Sequence, residues 1–189
     1  MNTNINAALR EAVDNNDAVA VREALENGAD AKMIIRNEQK NFFIEEIPIL
    51  NYAVIHRCSI GIAELLLRYG ADIYECVRIH EIDPETKEIR LSVFPILIDA
   101  IEQLADDEDK PAEPEMVRFL IEHGADVNAF VISGTLDRES KQYRYMKPII
   151  SVIGSTIMNG ADDEIIKMLI QHGANPDKAF PANNGVKAD

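Results

Sequence analysis

The sequence predicts a mainly α fold, a solenoid of about four helix pairs with extended β-hairpins between them. Three observations support this prediction. A Gly-Ala-Asp phrase recurs along the chain, each copy follows an apolar run with helical character, and strand-like segments separate the copies. Because glycine readily takes the left-handed conformation that ends a helix, each copy predicts a helix end. The copies begin at Gly28, Gly70, Gly124 and Gly173, and the last has Asn in place of Asp.

Each copy closes a predicted pair of helices. The second helix of each pair has a wide apolar face, which is typical of a helix packed on both sides. In the last three pairs, a Pro followed by two branched apolar residues predicts the start of the first helix, where the missing N–H of Pro has no cost. These prolines are Pro48, Pro95 and Pro148. The predicted repeats cover residues 6–30, 47–72, 94–126 and 147–175 of a single domain, 1–189.

The segments between the copies are predicted to form β-hairpins, at residues 31–46, 73–94 and 127–147. In the second, Asp83-Pro84 favours a turn, and apolar residues then alternate with polar ones from Ile89 to Val93. The three segments align with one another, so we expect hairpin fingers side by side, forming a sheet-like wall along one edge of the helical stack. The acidic segment 106–114 is predicted to be an exposed loop, and residues 178–189 a loose tail.

The pattern resembles the ankyrin repeat, whose unit is two antiparallel helices and a β-turn finger. The distance from Leu9 to Gly28, 19 residues, matches that between the Thr-Pro-Leu-His motif and Gly-Ala in a standard unit. The resemblance covers roughly residues 6–177 and implies a concave partner-binding face made by the first helices and the fingers. The chain departs from the family in two respects. Its successive glycines lie 42, 54 and 49 residues apart, not about 33, and no copy keeps Thr-Pro-Leu-His.

The net charge of the chain is −14. This charge argues against binding to nucleic acid, which needs clustered Lys and Arg, and against anionic membranes. It favours a basic protein partner, although an acidic surface also serves solubility alone.

The chain has no apolar run long enough to span a membrane and no secretory signal at its start. Cys58 and Cys76 lack the number and spacing of a disulfide framework or a metal site, and are interpreted as reduced thiols. These features predict a cytoplasmic protein, and export by a specialised secretion system would leave the same pattern.

No enzymatic activity, cofactor or metal site is predicted. His123 and His172 precede Gly-Ala and are explained by packing and helix capping, while His56 and His80 are expected at the surface. The acids of segment 106–109 lack the ligand spacing of a calcium loop.

The hairpins are predicted to bind the partner, because they carry bulky residues that turns do not need. Aromatic residues and Arg are enriched at binding hot spots. Two alternatives remain: the aromatic residues pack against each other across strands, or the hairpins reflect turn chemistry alone. The predicted partner-binding residues are Phe42, Phe43, Arg78, His80, Arg90, Arg138, Tyr143, Arg144 and Tyr145.

These observations together favour a non-enzymatic protein–protein interaction module that binds through its concave face and its hairpin fingers. Two narrower alternatives are a bacterial immunity or inhibitor protein that covers a cognate toxin, and a secreted effector that acts on host proteins. The expected oligomeric state is a monomer or a weak homodimer, since exposed hairpin edges can pair between chains.

Overall fold

The computed structural model describes residues 3–39, 43–105, 114–137, 142–160 and 163–180. Within these ranges, helix pairs alternate with β-hairpins along the chain. None of the helices in this part of the chain is long and apolar enough to cross a membrane. The elements are α1 (Thr3–Asp14), α2 (Ala18–Glu26), β1 (Ile34–Gln39), β2 (Phe43–Pro48), α3 (Ile49–Ile55), α4 (Ile60–Arg68), β3 (Cys76–Ile82), β4 (Ile89–Pro95), α5 (Ile96–Ala105), α6 (Glu115–Glu122), β5 (Phe130–Asp137), β6 (Gln142–Ser151), α7 (Val152–Met158), α8 (Asp163–Gln171) and a 3-10 turn, Pro176–Lys178.

The six strands form one antiparallel sheet in sequence order, from β1 at one edge to β6 at the other. The strands of each hairpin pair with each other, and neighbouring hairpins also pair. Glu45 of β2 lies opposite Ile79 of β3, and Ser92 of β4 lies opposite Ser133 of β5. The three hairpins are therefore a single hydrogen-bonded layer.

The helices pack beside the sheet in two rows. The first helices of the pairs (α1, α3, α5 and α7) contact one another in order, and among the second helices α2 contacts α4 and α4 contacts α6. Strands β2, β4 and β6 each run directly into the following helix. Ile47, Val77 and Val131 of the sheet are buried in the same apolar cluster as Leu50 and Leu97 of the helices. Sheet and helices thus share one core.

The Gly-Ala-Asp phrase ends a helix and then starts a tight turn. All four glycines have a positive φ, for example +101° at Gly70, as the sequence predicted for a helix end. The Ala71 N–H then bonds back to Leu66 O at 2.9 Å, and Asp72 Oδ1 accepts the Tyr74 N–H at 2.9 Å. In the last copy Asn175 Oδ1 accepts from a backbone N–H in the same way. The turn needs an oxygen acceptor at this position, and both Asp and Asn supply one.

The prediction of a mainly α, ankyrin-repeat solenoid was wrong. The structure is an α+β fold with a six-stranded antiparallel sheet, and the description of the chain as a repeat solenoid fails with it. The physical reason is the pairing of β2 with β3 and of β4 with β5. These bonds join the three hairpins into a layer that contributes to the core, where a sheet-like wall of fingers along one edge of a helical stack was expected.

The predicted start of a helix at Pro148 was also wrong. Strand β6 continues through Pro148 to Ser151, and α7 begins at Val152, with the Ser151 side chain accepting the Gly154 N–H. Proline lacks the N–H of a strand ladder but is tolerated in an edge strand, and β6 is at the edge of the sheet. At Pro48 and Pro95, in contrast, the helix begins at the next residue.

Two predicted irregular segments fall mostly outside the described residues. Of the acidic segment 106–114, the structure describes Pro114, which precedes α6. Of the tail 178–189, it describes residues 178–180, where Ala179 is buried and its carbonyl oxygen accepts the Ser151 N–H at 3.2 Å.

Candidate protein-binding surface

The two faces of the sheet have different surroundings. One face, here called the core face, carries the residues that pack on the helices, Ile47, Val77 and Val131. The opposite face, here called the groove face, carries Val93 and its cross-strand partner Ile132. Because side chains alternate along a strand, each residue's face follows from the register.

Two predicted binding residues, Arg78 and His80, lie on the groove face of β3. Arg78 is opposite Glu46 of β2, and His80 lies between Ile44 of β2 and Leu91 of β4. His80 Nε2 is 3.6 Å from Glu46 Oε2. The opposite charges of Arg78 and Glu46 on neighbouring strands favour the pairing of these strands. Both residues thus have cross-strand neighbours within the sheet, and their predicted role in partner binding stays a prediction.

Phe43 and Arg90, in contrast, lie on the core face, beyond the part covered by helices. Both are cross-strand neighbours of Glu81. Arg90 Nη1 is 3.7 Å from Glu81 Oε2, and the two side chains are 66% and 52% exposed. An exposed pair of this kind contributes little to stability. Arg78 and His80 are thus separated from Phe43 and Arg90 by the thickness of the sheet, so these four residues do not form one site.

The other five predicted residues cannot be assigned to a surface. Phe42 and Arg138 lie outside the described residues. Tyr143, Arg144 and Tyr145 belong to strand β6, with Tyr143 opposite Leu136 and Arg144 opposite Thr135 in the register, and their side chains lie outside the described part of the chain.

The structure shows a groove at the base of the second and third hairpins that the sequence did not predict. It has a volume of about 430 Å³. Its walls come from the turn after α4, the groove face of β3 to β5, the first turn of α5 and the turn after α6. The walls are mostly apolar and include Tyr74, Cys76, Val93, Leu97, Phe130 and Ile132.

One acidic residue lines this apolar groove, and others lie beside its wall. Asp126 is part of its lining, and Asp126 Oδ1 accepts the Asn128 N–H at 2.8 Å, which holds the carboxylate in place. Burial raises the pKa of the Cys76 thiol; Arg78 acts in the opposite direction, and the carboxyl groups of Asp99, Glu75 and Asp72 raise it further. The thiol therefore stays neutral and forms an apolar part of the wall.

Tyr74 is the groove residue that the sequence could have revealed. It stands two residues after the Asp of its Gly-Ala-Asp phrase, where the other copies have Lys32, Asn128 and Asp177. Its side chain is 68% exposed. Its hydroxyl oxygen lies 3.6 Å from the point where a Cβ would stand at Gly124. An aromatic residue at a position that is polar in every other copy is a signal for a surface role.

Within the described ranges, no group of three or more His, Cys, Asp or Glu side chains is placed to hold a metal ion. Cys58 and Cys76 are both free thiols. Comparison of the chain with protein-family models and with curated proteins finds no match. No family match therefore supports the resemblance to ankyrin repeats, and the α+β architecture contradicts it.

Proposed function

We propose that this protein is a non-enzymatic binding module that captures a partner protein at the groove and the adjoining groove face of the sheet. The groove itself supports this proposal most strongly. It combines an apolar concave wall with the exposed ring of Tyr74 at its side, and tyrosine is among the residues that most often dominate binding energy at interfaces.

The charge of the chain favours a basic partner. A net charge of −14 accelerates the encounter with a basic protein and slows that with an acidic one. Within this class, the charge favours an inhibitor that covers a basic enzyme, such as the bacterial immunity protein considered above. Capture of a basic enzyme encoded beside this chain would support that version, and capture of a host protein would support a secreted effector.

The proposal is tested by affinity capture from the source cell, followed by mass spectrometry, with the wild-type chain and two variants. Tyr74→Ser removes the aromatic ring beside the groove. We expect it to weaken capture by at least about 2 kcal/mol, roughly 30-fold. Tyr69→Ser is the matched control, because Tyr69 is also an exposed tyrosine, 40% accessible, but lies outside the groove lining, at the end of α4.

If both variants capture the partner as well as the wild type does, with circular dichroism unchanged, the binding surface lies elsewhere. The proposal also requires that Tyr69→Ser behaves as the wild type does. A loss shared by the two tyrosine variants would indicate a general surface effect and would count against the groove.

A further inference from the structure

The groove has the shape and lining that suit a long side chain. Ile73, Val93 and Ile132 provide apolar wall, and Asp126 provides a carboxylate in the same lining. Lysine and arginine bury their methylene stems against apolar surface while the charged end stays near polar groups or water. A groove of about 430 Å³ has room for such a side chain and for part of the backbone that carries it.

The charges around the groove select the sign of the occupant. Asp72 and Glu75 flank wall residues Ile73 and Tyr74, and both carboxylates act on the Cys76 thiol in the wall. Arg78 acts on the same thiol, and more strongly than either of these carboxylates; it lies opposite Glu46 in the sheet register. A carboxylate entering the groove would be repelled by the negative charge of Asp126, whereas a cation would be attracted by it.

We propose that this groove receives the side chain of a lysine or arginine from the partner protein, with its stem against the apolar walls and its charge at Asp126. This inference rests on the proposed function and adds the chemistry of recognition. Asp126 is the specificity-determining residue, because the apolar walls alone would hold an uncharged chain of the same length equally well.

A conservative substitution of Asp126 tests this inference. Asp126→Asn removes the charge and keeps the oxygen that accepts the Asn128 N–H. The chain already contains this arrangement, since Asn175 accepts the Asp177 N–H at the corresponding turn. Asp30→Asn is the matched control: Asp30 Oδ1 accepts the Lys32 N–H in the first copy of the same turn, outside the groove lining.

The experiment titrates three probes of equal length into the isotope-labelled full chain at constant ionic strength, up to about 100 mM, the range expected for such small ligands. The probes are n-pentylammonium, 1-pentanol and pentanoate, and the amide signals of Leu97 and Ala129 report on the groove. We expect pentylammonium to bind more tightly than pentanol and pentanoate to bind least. Asp126→Asn is expected to weaken pentylammonium binding about five-fold, to the level of pentanol, and Asp30→Asn to leave it unchanged.

Three outcomes would overturn the inference: no shift of the groove signals with pentylammonium, equal binding of the three probes, or equal effects of the two Asp variants. These outcomes are independent of the capture experiment. If Tyr74→Ser abolishes capture while the probes show no preference for a cation, the groove binds a partner through another kind of side chain. If the probes show a preference for the cation but Tyr74→Ser does not weaken capture, the cation site is supported and the proposed function is contradicted.

Discussion

Asp99 is a carboxyl group buried between α3 and α5, and its environment favours the neutral form. It is 7% exposed, and its hydrogen-bond partner Asn51 is fully buried. Asn51 Nδ2 donates to Asp99 Oδ2 at 2.9 Å, while Asn51 Oδ1 has no hydrogen-bond partner among the described residues. A protonated Asp99 could donate to that oxygen, and an ionised one could not. A carboxylic acid at this position would therefore supply a donor next to the unpartnered acceptor.

This environment makes the stability of the protein depend on pH. Burial raises the pKa of Asp99 from 3.8 to about 8; the hydrogen bond from Asn51 acts against this shift, and the charge of Glu102 adds to it. Because the folded pKa is above the unfolded one, the stabilisation is fully present below pH 3.8 and is lost as pH rises through about 8. Across this window the free energy of unfolding should fall by up to about 1.4 kcal/mol per pH unit.

The measurement is urea unfolding of the wild type and Asp99→Asn at pH 5, 7 and 9. Asn keeps a donor and an acceptor opposite Asn51 and does not ionise, so the variant should gain stability relative to the wild type as pH rises. Glu64→Gln on α4 makes the same charge change at an exposed position and should show no such trend. A difference between Asp99→Asn and the wild type that stays constant with pH would contradict a neutral Asp99.

At the scale of one element, α7 depends on a glycine that allows the chain after α8 to pack against it. A Cβ at Gly154 would collide with the carbonyl oxygen of Ala179 and would lie 2.9 Å from Ile150 Cγ1. The same Ala179 oxygen accepts hydrogen bonds from the N–H and the hydroxyl group of Ser151. The obstacle is backbone that is already held, so it cannot yield as a flexible side chain would.

Gly154→Ala should therefore lower the free energy of unfolding by about 1–3 kcal/mol, in spite of the better helix propensity of alanine. Gly61→Ala in α4 is the matched control, since a Cβ there meets nothing within 4 Å, and it should raise stability by up to about 1 kcal/mol. Chemical unfolding of both variants checks the pair. Equal stability of the two would show that the segment at Ala179 is not tightly packed on α7.

How well an element could be predicted depended on whether its signal was local. The bond at the helix end beside Gly70 joins residues five positions apart, the bond at the turn of Asp72 joins residues two apart, and the structure shows both. The alternation from Ile89 to Val93 lies in β4. The local pattern at Pro148 predicted a helix start, but this residue lies in an edge strand. Whether a strand is at the edge depends on the pairing of segments that are distant in sequence, which a local pattern does not contain.

At the scale of the whole molecule, neither the fold class nor the groove could be predicted from local patterns. The sheet is continuous because Glu45 meets Ile79 and Ser92 meets Ser133, and these pairs are more than 30 residues apart in sequence. The groove is formed by residues from three separate segments, 73–76, 93–97 and 126–132. The predicted binding residues were chosen for their chemistry alone, and the sheet places Arg78 and Arg90 on opposite faces.

A continuous sheet also predicts how the molecule opens. The strands β3 and β4 have a neighbour on each side, whereas β1 and β6 are edge strands, each with one strand neighbour among the described residues. Amides released only by large-scale unfolding exchange slowest, and those at frayed edges exchange fastest. Hydrogen exchange followed by mass spectrometry should therefore give slower exchange in peptides covering β3 and β4 than in those covering β1 and β6.

Separate hairpin fingers would each have two exposed edges, so similar exchange across all six strands would contradict the single sheet. The second hairpin is the informative one, because its two strands are protected on both sides only if β2 and β5 pair with them in solution.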